Sequence, residues 1–127
     1  MKRRALPTRS TESQVDQTDA LEDLCDALCA LRGHEEMAAF LRDLCTPAEL
    51  EAMSDRWRVV APLTAGMAYR SIHDVSGVSA TTIGRVARCL GQGEGGYRVA
   101  ARRLAAAGHP AFSHALKDGR PANDERH

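Results

Sequence analysis

The sequence predicts an all-α protein, and three observations carry that expectation. The chain holds only five aromatic residues, Phe40, Trp57, Tyr69, Tyr97 and Phe112, among abundant Ala and Leu, a composition suited to close-packed helices and poor in the branched and aromatic pairs that sheets use. Apolar residues recur at offsets of three, four and seven through most of its length, the period of a helix with one buried face. The Thr46-Pro47-Ala48-Glu49 segment combines an N-capping hydroxyl, a proline where no backbone donor is lost, and a glutamate able to reach back to the cap.

Residues 1–17 are rich in Ser, Thr, Gln and Arg without apolar periodicity, so they are expected to form a flexible arm. The first helix is expected from Asp19, with Leu21, Leu24, Cys25 and Leu28 as its stripe and Gly33 at its end. A second follows from His34, with Met37, Phe40, Leu41, Leu44 and Cys45 on one side. A third begins at Thr46 and places Leu50, Met53, Trp57 and Val60 together. It is expected to run on to Ala65 with a bend at Pro62, which cannot donate to the Arg58 carbonyl.

From Ala68 to Leu90 the pattern is two short helices around Gly77. A tight turn between helices crossing steeply calls for a residue of positive φ, which glycine adopts without a steric cost. Ile72, Val78, Ile83 and Val86 then fall where inward side chains must lock the pair, and Ser79 stands where it can cap the second helix. Opposite the Ile83, Val86, Ala87 and Leu90 stripe lie Thr81, Thr82, Arg85 and Arg88. That is the make-up of a recognition helix: short polar groups near the N-terminus approach base edges, and arginines supply phosphate or guanine contacts. After a glycine-rich link, Tyr97, Ala100, Ala101 and Leu104 form a final stripe. The domain is expected over residues 18–108, with a flexible tail over 109–127.

The formal net charge of zero conceals a partition. Residues 11–55 carry two basic side chains against twelve acidic ones, whereas residues 56–103 carry eight basic against two acidic. Such blocks create local potential even when the total cancels, so the basic surface belongs to the helix-turn-helix half. No apolar run approaches bilayer length, and no secretory leader is visible in Met1-Lys-Arg-Arg-Ala-Leu-Pro, which gives a cytoplasmic expectation with no membrane partner. In a reducing compartment Cys25, Cys29, Cys45 and Cys89 read as free thiols on apolar stripes. They lack the short Cys-x-x-Cys spacing of structural zinc sites. The Gln92-Gly93-Glu94-Gly95-Gly96 link follows a helix, not a strand, and has no phosphate-loop lysine. No nucleophile, base and oxyanion arrangement suggests catalysis, and no cofactor is expected.

The residues Leu44-Cys-Thr-Pro-Ala-Glu-Leu50, Arg56-Trp-Arg-Val-Val60 and Ala80-Thr-Thr-Ile-Gly-Arg85 carry a resemblance to the Trp repressor superfamily, in particular its YerC/YecD branch. The likeness spans Asp19 to Gly108. It implies a bundle of about six helices whose first two and last interlace with a second chain, two recognition helices then lying about 34 Å apart in successive major grooves. Family DNA contacts map onto Tyr69, Arg70 and His73 in the first helix of the motif, and onto Ser79, Ala80, Thr81, Thr82 and Gly84 around the second; Arg85 and Arg88 join them from the basic face. The resemblance also places Arg56 and Arg85 as the clasp for an effector carboxylate, whose two oxygens match guanidinium forks. The competing reading makes them surface charges near phosphate or paired to Asp55. Val86 stands where the family has a glycine beside the indole ring, and Cys89 replaces a serine, which argues against tryptophan as the effector. The expected function is a sequence-specific transcriptional regulator, a repressor, binding double-stranded DNA as a homodimer. The alternatives are an adaptor that uses the same fold to bind protein, and a single-strand binder, for which Tyr69 is the lone stacking platform in the motif.

Overall fold

A computed structural model describes residues 10–118. Every regular element among them is helical: α1 (Ser10–Ala30), α2 (Gly33–Leu44), α3 (Pro47–Arg58), α4 (Val60–Thr64), α5 (Tyr69–Ser76), α6 (Ala80–Gln92), α7 (Gly96–Ala106), a 3-10 turn (Pro110–Phe112) and α8 (Ser113–Asp118). These helices group into two compact units that divide between Thr46 and Pro47.

The first unit contains α1 and α2. Helix α1 begins at Ser10, nine residues before the expected start at Asp19. Its polar first turns contain no Gly or Pro, and once a helix is nucleated each further residue adds a backbone bond at little cost. The part of the expected arm that precedes Ser10 lies outside the described residues. At the junction Gly33 adopts φ +83°, and the Arg32 N–H donates to the Glu36 carboxylate at 2.7 Å. That carboxylate also sits favourably at the positive end of α2. No residue of α2 is buried.

The second unit holds the core: Val59, Val60, Leu63, Ile72, Val78, Ile83, Val86, Leu90, Ala101, Ala105 and Phe112. Burial of each large aliphatic side chain here contributes about 1.5–3 kcal/mol. The break after α3 falls at Val59, where φ −92° and ψ −2° depart from the helix, not at Pro62 as the sequence led us to expect. Restarting the helix at Val60 puts Pro62 in the first turn of α4, where its missing N–H costs nothing. The break also turns both Val59 and Val60 fully inward.

The C-terminal segment departs from expectation as well. Over residues 110–118 of the expected tail the chain forms the 3-10 turn and α8, and Phe112 is only 3% exposed; the rest of that tail lies outside the described residues. The Phe112 ring stacks on Trp57 with centroids 5.4 Å apart, while the Tyr97 ring lies 6.2 Å from Trp57, tilted by 33°. An aromatic payload of this size explains why a segment of otherwise small and polar residues is held. Thr64, a buried polar residue, directs its hydroxyl proton to the Val60 and Ala61 carbonyls at 3.0 Å each, and its oxygen meets His114 Nε2 at 2.8 Å. The hydroxyl is thereby satisfied and joins α4 to α8.

Candidate nucleic-acid interface

The motif expected around Gly77 is present as α5, turn and α6. Gly77 is in the left-handed region at φ 76° and its N–H donates to the His73 carbonyl at 2.8 Å, ending α5 with the residue type that tolerates this conformation. Ile72, Val78, Ile83 and Val86 are each at most 3% exposed, so the four side chains expected to lock the helices do so. Ser79 caps α6, its Oγ accepting from the Thr82 N–H at 3.2 Å, and the same hydroxyl donates to Thr82 Oγ1 at 3.1 Å. With Ser79 committed to the cap, the Thr82 hydroxyl keeps its own proton for an outside acceptor.

Four further bonds fix the turn. Ser76 Oγ donates to the Ile72 carbonyl at 2.6 Å and accepts from the Val78 N–H at 3.1 Å. His73 Nδ1 lies 2.8 Å from the Val78 carbonyl. Arg58, reaching across from α3, donates through Nη1 to the Ser76 carbonyl at 3.2 Å. Sequence reasoning missed Arg58, since nothing in local spacing announces a contact eighteen residues away. Asp55, which the alternative reading of Arg56 and Arg85 offered as a partner, is ion-paired with Arg58 at 3.9 Å, a partly exposed pair that contributes little.

The outer surface gathers most of the remaining expected site. Tyr69 is 50% exposed, and Arg70, His73, Ser79, Ala80, Thr81, Arg85 and Arg88 are exposed, with Thr82 and Gly84 half-buried. Gly84 leaves open space; a Cβ built there would meet nothing nearer than Arg88 Nη1 at 3.9 Å. The N-terminus of α6 adds partial positive charge at the same end as the hydroxyls. Arg56 is half-buried on α3, a helix that packs against α6, which carries Arg85. Val86, beside Arg85, is fully buried in the core, and Cys89 is half-buried.

A pinned glycine turn, a capped helix and an outward face of hydroxyls and arginines define the class: a helix-turn-helix DNA-binding regulator. The family model for the Trp repressor protein matches residues 19–105. The chain is also 36% identical over 84 residues to the uncharacterized protein YerC of Bacillus subtilis (strain 168), an alignment covering 66% of this chain and 81% of that one. No solved structure matches the chain. The protein belongs to the Trp repressor family, a family of regulators and not of enzymes. Among the described residues no helix is long and apolar enough to cross a membrane, and no group of His, Cys, Asp and Glu is arranged to hold a metal ion.

Proposed function

We propose that this protein is a sequence-specific transcriptional repressor that binds double-stranded DNA as a homodimer. The observation that carries the reading is the two-sidedness of α6: Ile83, Val86 and Leu90 are at most 4% exposed on one side, while Thr81, Arg85 and Arg88 stand free on the other. In this reading α6 enters the major groove. Thr81 and Thr82 meet base edges with hydroxyl and methyl, and Gly84 allows close approach. Arg70, Arg85, Arg88 and His73 hold phosphate, with Tyr69, Ser79 and Ala80 at the groove rim. Arg58 belongs to the scaffold, holding the turn from behind.

The homodimer reading rests on family membership and on the apolar residues that α1 and α2 leave in solvent, Leu21 at 59% and Leu44 at 52%. A small carboxylate held by Arg56 and Arg85 is the effector class that the arginine chemistry favours. The buried Val86 side chain fills the space beside α6 that a glycine would leave open, so the effector is a molecule other than tryptophan.

The decisive experiment is selection of bound sequences from random duplex DNA at about 150 mM salt, where nonspecific phosphate attraction is already weakened. A palindromic consensus with half-sites one helical turn apart is the expected result. The doubly substituted Arg85→Ala/Arg88→Ala protein should lose that binding while keeping its fold. Failure to enrich any sequence, with or without added amino acids, would transfer the assignment to an adaptor that binds protein.

A further inference from the structure

We infer that DNA binding by this protein is coupled to proton uptake at His73, which acts as a pH-gated phosphate contact. The inference rests on the DNA-binding reading and on the turn geometry. His73 is exposed on α5, and its Nδ1 lies 2.8 Å from the Val78 carbonyl oxygen. A carbonyl can only accept, so the proton of that bond belongs to Nδ1 whether the ring is neutral or charged. The consequence falls on the other nitrogen. In the neutral ring Nε2 carries a lone pair, which repels a phosphate oxygen; when a solvent proton adds to it, Nε2–H becomes a charge-assisted donor to phosphate. The bond to Val78 survives the change, so the turn keeps its shape while its outer face gains one charge and one donor.

The surroundings bear on how cleanly this gate works. The chargeable groups of α5 besides His73 are Tyr69, Arg70 and Asp74. Arg58 approaches from α3 at the Ser76 carbonyl. Among the helices packed against α5, α4 contains no titratable residue, and the first in α6 is Arg85. His73 is thus the one imidazole in this neighbourhood, the side-chain type suited to a proton-driven switch.

The test is filter binding of a random-sequence duplex of about 30 base pairs at about 50 mM salt, where phosphate contacts dominate, with wild type, His73→Lys and His73→Gln, all checked for helix content. Wild-type affinity should fall as pH rises from 6 to 8, by at most about tenfold per pH unit for each proton taken up. The slope of log affinity against log salt should be steeper at pH 6 than at pH 8 by about 0.9 for each His73 engaged. His73→Lys should bind at the tighter level with neither dependence, and His73→Gln at the weaker level. A salt slope that does not change with pH in the wild type, or a pH dependence that persists undiminished in both variants, overturns the inference. If no protein retains the duplex at either pH, the DNA-binding reading itself falls and takes this one with it. Independently of DNA, nitrogen-detected NMR of the neutral ring should find the proton on Nδ1; finding it on Nε2 overturns the geometry from which the inference starts.

Discussion

The two units of this chain use the same sequence device and reach opposite outcomes. Helix α6 and helix α2 are both amphipathic, each with an apolar stripe at helical spacing. In α6 the stripe is sealed, with Ile83 and Val86 fully buried and Leu90 nearly so. In α2 no residue reaches burial, and at its end Leu44 stays half in solvent. A stripe therefore states only that a helix has something to cover. In the second unit the cover comes from neighbouring helices of the same unit. In the first, the homodimer proposal assigns that cover to a second copy of the chain.

That contrast can be broken in several ways, beginning with the largest effect. Ile83→Ala should cost about 2–5 kcal/mol of unfolding free energy, because removing buried methylenes leaves a cavity. Leu44→Ala should cost less than about 1 kcal/mol in the dissociated chain, where the side chain is already wet. Urea unfolding at low protein concentration compares the two directly, and equal costs would erase the distinction between the units. Next, Leu21→Asp together with Leu44→Asp should weaken self-association by about two orders of magnitude, since an unpaired charge in an apolar contact is costly. Sedimentation equilibrium reads this, and an unaltered mass distribution would exclude that face from the dimer.

Smaller effects sharpen the picture of the motif itself. Gly77→Ala should destabilise by about 1–2 kcal/mol through its positive φ alone, because a Cβ there meets nothing within 4 Å. Gly84→Ala has the opposite sign: it should stabilise α6 by up to about 1 kcal/mol, with only ordinary contact to Arg88 at 3.9 Å, and yet weaken DNA binding by filling the space where the helix approaches the groove. A variant that is more stable and binds DNA as tightly as wild type would remove Gly84 from the interface.

The helix-turn-helix was legible in the sequence because everything that specifies it is local. Gly77, Ser79 and the Ile83, Val86, Leu90 spacing each act within a few residues, and each took its expected role. Elements decided by distant contacts were not legible. The break at Val59 depends on a core that accepts two consecutive valines, while the proline that sequence reasoning fixed on merely had to be accommodated. Phe112 sits among Ala, Pro, Ser and His, so no periodicity marks it, and only its stack on Trp57 reveals why the segment is held. Arg58 was hidden for the same reason, as its partner is a carbonyl in the turn. For the candidate interface, the exposure of Thr81, Arg85 and Arg88 on one face of α6 could be read in advance, whereas the bonds that orient Ser79 and His73 could not.

The Trp57 and Phe112 stack has a practical consequence. Trp57 is the sole tryptophan of the chain, and the ring lying against it belongs to the last ordered turn before α8. Its ultraviolet emission is therefore a built-in optical gauge of whether the C-terminal segment is seated. No dye is needed, because the ring seated against the indole is Phe112 of that segment.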